Sequence, residues 1–151
     1  MERQRTADLV IYPARPGDLE ALTNLLRTAG LPVEDVSEEL LGHFLVASTG
    51  SSLVGCIGLE PFSDKGLLRS LVVDGEFRGA GVGRLLVLEL EAYARQRGIE
   101  ELWLLTIDAD RYFDKLGYCA RQRDEVPEAI RRTAEFSLLC PADAVVMKKE
   151  I

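Results

Sequence analysis

The 151-residue chain has few residues that bind metals or form disulfides, since it contains one histidine and three cysteines. His43 stands alone, and Cys56, Cys119 and Cys140 are widely separated along the sequence. So few ligands at such spacings build neither a metal site nor a disulfide framework. We therefore expect no metal cofactor, and we expect Cys56 and Cys119 to be buried free thiols.

Long apolar stretches and an excess of basic residues are also lacking. No window of the sequence approaches the roughly 20 apolar residues of a membrane span, and the charged N-terminus has no apolar signal core behind it. The formal net charge of −7 argues against nucleic acid, whose binding depends on clustered basic residues. We expect a cytoplasmic protein with no membrane and no nucleic-acid partner, and the acidic balance is compatible with a cationic acceptor.

With 47% hydrophobic residues, the chain is long enough to form a single domain, residues 1–151, around a core. Hydrophobic periodicity and turn residues predict alternating strands and helices, with Asp18 as the N-cap of the first helix. The apolar side of the long helix is predicted to consist of Val82, Leu85, Leu86, Leu90 and Tyr93. The predicted elements are strand 9–12, helices 19–29 and 37–41, strands 44–47, 53–62 and 66–73, helix 82–97, strand 102–106, helix 109–116, strand 118–121, helix 126–133 and strand 144–148.

The most informative segment runs from Arg78 to Arg84 and has three glycines within five residues, Gly79, Gly81 and Gly83. Glycines let backbone N–H groups turn inward where a helix begins, and a helix N-terminus carries unpaired donors and partial positive charge. The arginines at both ends add positive charge and bidentate donors within an acidic protein. We interpret the segment as a cradle for a pyrophosphate group.

Two common nucleotide motifs fit this segment poorly. A P-loop ends in Gly-Lys-Ser or Gly-Lys-Thr, and no such tripeptide occurs in the sequence. A Rossmann fingerprint needs a third glycine where this chain has Arg84 or Leu86, and it needs the glycines directly after the strand, whereas residues 74–77 intervene here. Asp108, at the spacing of a ribose-binding acid, favours the Rossmann alternative. Coenzyme A is the third alternative.

Two segments resemble one known family. The pattern Arg-x-x-Gly-x-Gly after a Leu-x-Val strand, within residues 71–83, resembles motif A of the GCN5-related N-acetyltransferase (GNAT) superfamily. Residues 112–118, Tyr-Phe-Asp-Lys-Leu-Gly-Tyr, look like its motif B. The resemblance implies an α/β (α+β) fold with a mixed central sheet that is splayed in the middle and flanked by helices. It also implies an acetyl-CoA-dependent N-acetyltransferase, with acetyl-CoA as the co-substrate.

The same resemblance implies where acetyl-CoA lies. The thioester and pantetheine are expected along the backbone of one strand, where a main-chain N–H polarises the carbonyl. The pyrophosphate is expected at the glycine segment. The implied coenzyme-binding residues are Leu71, Val72, Val73, Arg78, Gly79, Ala80, Gly81, Val82, Gly83 and Arg84.

Two charged residues on neighbouring strands are candidates for chemistry with the acceptor. For the general base we favour Glu60, because a carboxylate at that strand end reaches the sheet centre directly or through water. A solvated strand-end glutamate is the alternative. Arg69 is the candidate to hold a carboxylate of the acceptor, and an ion pair with Glu60 or Glu76 is the alternative.

At the position of the group that protonates the leaving thiolate, the sequence differs from the pattern of the family. Many members have a tyrosine four residues before the motif B glycine, but that position is Phe113, and the tyrosine is Tyr112. A shift of one residue turns a helical side chain by about 100°. Tyr112 is thus a candidate acid whose side chain points in a different direction from the tyrosine of the family, and Cys140, Ser137 and solvent are the other options.

The long connection 124–141 is predicted to be an acceptor-site lid, with Arg131 and Ser137 as substrate-binding candidates, or else a surface helix with solvated arginines. Residues 126–131 and 136–141 resemble short GNAT proteins associated with arsenic-resistance operons, which are related to amino-acid N-acetyltransferases. We therefore predict acetyl transfer to the amine of a small amino acid or an amino-acid-like, arsenic-containing compound. The alternatives are a protein amine acetyltransferase and a non-catalytic acyl-CoA-binding module. The sequence allows a homodimer without indicating one.

Overall fold

The computed structural model describes residues 8–31, 33–50, 52–134, 136 and 144–151. The strands in this part of the chain are β1 Leu9–Pro13, β2 Phe44–Thr49, β3 Ser52–Phe62, β4 Lys65–Val73, β5 Glu101–Thr106, β6 Cys119–Arg121 and β7 Val145–Glu150. The α-helices are α1 Leu19–Thr28, α2 Glu38–Leu41, α3 Val82–Gln96, α4 Asp110–Lys115 and α5 Glu128–Arg131. Short 3₁₀ turns lie at Pro16–Asp18, Gly75–Phe77 and Arg123–Glu125. All predicted strands and helices are present.

The seven described strands form one mixed sheet in the order β1-β2-β3-β4-β5-β7-β6. Strand β2 is antiparallel to β1 and β3, and β7 is antiparallel to β5 and β6. The parallel pair is β4 with β5, and its register covers Lys65–Leu67 against Glu101–Trp103, although both strands continue further. The expected α/β class, a mixed sheet flanked by helices, is confirmed.

The chain divides into two compact units, and the first combines residues up to Leu59 with Ser70–Ala92. Its core forms because α1 places Leu22 and Leu26 one turn apart on its buried side. The Phe44 ring fits over Gly58, where an added Cβ would lie 2.5 Å from the ring. One cluster of buried core residues in this unit consists of Leu22, Leu26, Leu41, Phe44, Val46, Cys56 and Val72.

The second unit combines Glu60–Arg69 with Tyr93–Ile151. In its antiparallel ladder, β7 pairs with β5 on one side and with β6 on the other. Helix α5 contributes the buried Ile130. One cluster of buried core residues in this unit consists of Leu67, Trp103, Val126, Ile130, Phe136 and Val146.

Helix α3 buries a different side from the one predicted. Leu85 is 46% exposed and Tyr93 is half-buried, whereas Val87 and Ala94 are buried with Val82, Leu86 and Leu90. At about 100° per residue, these buried positions centre on an arc that is far from Leu85. The prediction for Leu85 is therefore wrong, because the predicted apolar side of α3 is rotated by about one residue from the side that is buried in the structure.

Two smaller predictions also need correction. Asp18 precedes α1 but makes no cap bond to it, since its Oδ2 atom accepts from the Arg15 N–H at 2.9 Å. Cys56 is buried as expected, but Cys119 is exposed. Strand β6 is an edge strand of the sheet, and all three of its residues are exposed. The Cys119 side chain is therefore accessible to solvent. Cys140 lies outside the described residues.

Candidate active site

The glycine loop, residues Arg78–Gly83, connects β4 and its 3₁₀ turn to α3. Gly79 and Gly81 both have a φ of +83°, in the left-handed region. A Cβ added to either glycine would meet no atom within 4 Å. These positions therefore need glycine for their backbone conformation and not for lack of space.

The same conformation leaves several amides of the loop without a protein acceptor. The first bond of α3 runs from the Leu85 N–H to the Gly81 carbonyl at 3.1 Å. Five backbone amides that precede this bond donate to no acceptor within the described ranges. They are the amides of Gly79, Gly81, Val82, Gly83 and Arg84. With the N-terminal dipole of a 15-residue helix behind them, these donors form a binding site for an anion.

Two arginines add full charges to this site. The side chains of Arg78 and Arg84 are exposed at the two ends of the loop. Arg78 Nε donates to the Val73 carbonyl at 3.4 Å, which directs that guanidinium along the end of β4. A basic pair beside free amides suits a doubly charged pyrophosphate.

The loop is fixed to the sheet by small and apolar residues of the first unit. Phe77 is buried, and its carbonyl accepts from the Ala80 N–H at 3.3 Å. A Cβ at Gly55 would lie 3.0 Å from the Val72 carbonyl and 3.1 Å from Leu86 Cδ1. Gly55 therefore permits the close approach of α3 to the strands, and this approach sets the position of the glycine loop.

The end of β4, where the resemblance implies the thioester, is anchored by Asp74. The Asp74 N–H donates to the Val54 carbonyl at 2.7 Å, and its Oδ1 accepts from the Glu76 N–H at 3.1 Å. An open cavity of about 510 Å³ lies beside this end of β4. Its lining comes from α1, the start of β3, the end of β4 and the loop, and includes Asn24, Leu53, Val73, Asp74 and Arg78.

Ser70 interrupts β4 just before the three strand residues expected to face the coenzyme. It is buried, and its φ of +62° is unusual for any residue with a side chain. The Cys56 thiol donates to the Ser70 carbonyl at 3.4 Å, and the Val72 N–H donates to the same sulfur. This feature was not predicted, because its trace in the sequence is only a serine among apolar residues.

Glu60 and Arg69 form a close ion pair within the second unit. Arg69 Nη1 donates to Glu60 Oε2 at 2.8 Å, and the side chains are 0% and 16% exposed. Of the two roles left open for Arg69, the ion pair with Glu60 is the one present. The pair orients a carboxylate of which a small part remains accessible.

Helix α4 presents its two neighbouring aromatic residues differently. Phe113 is buried and meets the ring of the fully buried Tyr118 edge-on, with centroids 5.6 Å apart. Tyr112 is 39% exposed and contacts the edge of Phe113 at 5.4 Å. The one-residue shift read in the sequence thus places Phe113 on the buried side of α4, whereas Tyr112 is partly exposed.

Helix α5 ends at Arg131, the arginine of the predicted lid that is a substrate-binding candidate, and Arg132 follows it. Arg131 is exposed and forms no ion pair with a described residue. Arg132 is also exposed, but it pairs with Glu128 one turn earlier, with 2.7 Å between Nη2 and Oε1. Ser137, the third substrate-binding candidate, lies outside the described residues.

Neither a metal cluster nor a membrane helix is found in the described part of the chain. No three side chains of His, Cys, Asp or Glu come together there in an arrangement that could hold a metal ion. None of the helices there is long and apolar enough to cross a membrane.

Comparison with known proteins agrees with this geometry. The model of the acetyltransferase (GNAT) family matches residues 17–118. An uncharacterized N-acetyltransferase of Chlorobaculum tepidum is 30% identical in an alignment of 133 positions that covers 83% of this chain and 85% of that protein. The amino-acid acetyltransferase of Ralstonia nicotianae is 30% identical over 74% of this chain, but this match spans only 25% of that enzyme.

Solved structures share the fold. The N-acetylglutamate synthase of Neisseria gonorrhoeae, crystallised with coenzyme A and N-acetyl-glutamate, superposes with a TM-score of 0.83 at 23% identity. The superposition covers 94% of this chain and 35% of that protein. With the family match over two thirds of the sequence, the glycine loop at the start of α3 and the mixed sheet, the chain belongs to the acetyltransferase (GNAT) family and is an acetyl-CoA-dependent N-acetyltransferase.

Proposed function

We propose that this enzyme transfers the acetyl group of acetyl-CoA to the α-amine of a small amino acid or of an amino-acid-like compound. The observation that carries the coenzyme half of the proposal is the row of unpaired amides in the glycine loop between two exposed arginines. The acceptor half is supported by the matching amino-acid acetyltransferases, although the chain spans about a quarter of their length. An arsenic- or phosphorus-containing analogue of glutamate belongs among the acceptors to be tested.

Each step of the transfer has a candidate group. Glu60 takes a proton from the acceptor ammonium, and the free amine attacks the thioester carbonyl. A backbone N–H within Leu71–Val73 stabilises the negative charge on the carbonyl oxygen of the tetrahedral intermediate. The attacking nitrogen then gives up its second proton to solvent, the carbon–sulfur bond breaks, the new amide remains on the acceptor, and the coenzyme thiolate takes up a proton from Tyr112 or from solvent.

We propose Arg69 as the positioning residue for Glu60. An Nη1–Oε2 distance of 2.8 Å within a fully buried guanidinium fixes the carboxylate in one orientation. The Arg69 side chain is fully buried and already bound to Glu60, which makes it a poorly accessible partner for the carboxylate of an acceptor. We therefore prefer Arg131 for that carboxylate, because it is exposed and forms no ion pair with a described residue.

The experiment compares glutamate with 4-aminobutyrate, which lacks the α-carboxylate, in an assay of thiol release from acetyl-CoA. If an arginine binds the α-carboxylate, 4-aminobutyrate should be poorer by about 10- to 100-fold in kcat/KM, because one charge-assisted contact with the guanidinium is lost. Arg131→Ala should reduce this discrimination, and Arg132→Ala is the matched control because Arg132 is already paired with Glu128. Equal use of both amines by the parent enzyme would favour polyamines or protein amines as acceptors.

A further inference from the structure

The open cavity beside the end of β4 has one wall that acetyl transfer does not use. Val73 and Arg78, which are expected to bind the coenzyme, lie on one side, but the opposite wall is formed by α1 and includes Leu25. Leu53, at the start of β3, adds a third apolar side chain, and all three apolar residues are half-buried. The cavity lies within the first unit, and its volume of about 510 Å³ is typical of a site for a small organic molecule.

Two opposite charges line this cavity without neutralising each other. The Asp74 carboxylate accepts from the Glu76 N–H through Oδ1, but it forms no ion pair with any described residue. Arg78 uses only Nε, which donates to the Val73 carbonyl at 3.4 Å, and its Nη1 and Nη2 donate to no described residue. An unpaired carboxylate and an unpaired guanidinium in one cavity suit a ligand that carries both an ammonium and a carboxylate group.

The end of α1 adds to the attraction for a cation. Thr28 is the last residue of this helix, and both Thr28 and the C-cap residue Ala29 line the cavity. The C-terminal end of a helix carries partial negative charge, so it favours an ammonium group as Asp74 does.

We propose that this cavity binds a zwitterionic amino acid with an apolar side chain. Its ammonium group bonds to Asp74, its carboxylate bonds to Arg78, and its side chain packs against Leu25 and Leu53. The proposal rests on acetyl-CoA binding at the glycine loop and not on which amine is acetylated.

The shared arginine makes this site regulatory. Arg78 begins the glycine loop, so the carboxylate of the amino acid and the pyrophosphate of the coenzyme compete for one guanidinium. The amino acid should therefore weaken the binding of acetyl-CoA, and coenzyme A should weaken the binding of the amino acid by the same factor.

Calorimetry with L-phenylalanine and two analogues tests the charges of the ligand. 3-Phenylpropanoate lacks the ammonium group and 2-phenylethylamine lacks the carboxylate, and each should bind about tenfold more weakly than phenylalanine because one charge-assisted contact is lost. Asp74→Asn keeps an Oδ1 acceptor for the Glu76 N–H and removes the charge. It should weaken phenylalanine by about tenfold and leave 3-phenylpropanoate within about twofold.

Asp18→Asn is the matched control, because the Asp18 carboxylate also accepts from a nearby backbone N–H but lies outside the cavity. This variant should bind phenylalanine with parental affinity. Equal affinity of Asp74→Asn and the parent for phenylalanine, or no binding of either phenylalanine or leucine by the parent at millimolar concentrations, would overturn the proposal.

Two further measurements separate this site from the acceptor site. Saturating phenylalanine should raise the dissociation constant of acetyl-CoA by about fivefold or more, and at the same phenylalanine concentration Asp74→Asn should lose most of this shift. An unchanged affinity for acetyl-CoA would contradict the shared use of Arg78. Loss of phenylalanine binding in Arg131→Ala, with parental binding in Asp74→Asn, would place the amino acid at the acceptor site and reject the second site.

Discussion

The glycine loop and the Glu60–Arg69 pair differ in which part of the residue carries the chemistry. In the loop, the donors are backbone amides, and the side chains matter mainly because Gly79 and Gly81 have none. In the pair, the backbone is an ordinary strand and the chemistry depends on a carboxylate oriented by one guanidinium at 2.8 Å. A backbone site is recorded in the sequence by glycines at fixed spacing, whereas a side-chain site depends on which way each residue faces.

The largest expected effect concerns the side-chain site. Glu60→Gln keeps the shape of the side chain and removes the base, so kcat/KM should fall by about 10²–10⁴ while acetyl-CoA still binds. Glu101→Gln is the matched control, because Glu101 is a similarly enclosed carboxylate that pairs with Lys65 and Lys148. Parental rates of Glu60→Gln across the pH range would remove Glu60 from the mechanism.

The backbone site predicts a loss of binding instead of a loss of turnover. Gly81→Asp combines a strained φ of +83° with a negative charge beside the free amides, so the dissociation constant of acetyl-CoA should rise by about 10². Arg78→Ala should raise it by about tenfold, since one charge-assisted contact is lost. Calorimetry should show no change for Gly17→Asp, an exposed glycine outside the left-handed region. Unchanged affinity of both loop variants, or tight NAD binding by the parent, would contradict the assignment.

This difference explains how much the sequence could predict. The order of elements and the position of the glycine loop follow from periodicity and glycine spacing, which report on local backbone conformation. The pairing of Glu60 with Arg69 was recognised only as one of two alternatives, because nine residues separate them and only the β3–β4 hairpin brings them together.

The contact of Cys56 with Ser70 had no usable signal. The left-handed backbone conformation of Ser70 within an apolar strand arises from tertiary structure, and strand propensities of residues do not predict it. The error at Leu85 has a similar origin. The helical period of α3 was predicted correctly. Which side of α3 is buried, however, depends on the strands against which it packs, where the absence of a side chain at Gly55 lets Leu86 approach.

The buried thiol also predicts a dependence of stability on pH. Burial raises the pKa of Cys56 from 9.0 to about 12, so between these values the folded protein retains a proton that the unfolded chain has lost. The free energy of unfolding should therefore fall with rising pH in this window, by up to about 1.4 kcal/mol per pH unit from this group. Urea unfolding at pH 8 to 11 should show the decline reduced in Cys56→Ala and unchanged in Cys119→Ala, whose thiol is exposed. Parallel curves for parent and Cys56→Ala would contradict the raised pKa.

The smallest effect is expected at Tyr112. A general acid in the reaction contributes about 10²–10⁴, yet Tyr112→Phe should cost less than about tenfold in kcat, because Tyr112 is 39% exposed and Phe113 takes the buried position on α4. Tyr12→Phe, which removes a hydroxyl from β1, is the control for a general effect of the substitution. A loss of 10² or more that also removes the alkaline limb of the pH–rate profile would make Tyr112 the acid after all. A small loss would agree with a thiolate that leaves without a dedicated donor, since the coenzyme thiol is acidic enough to depart and take its proton from water.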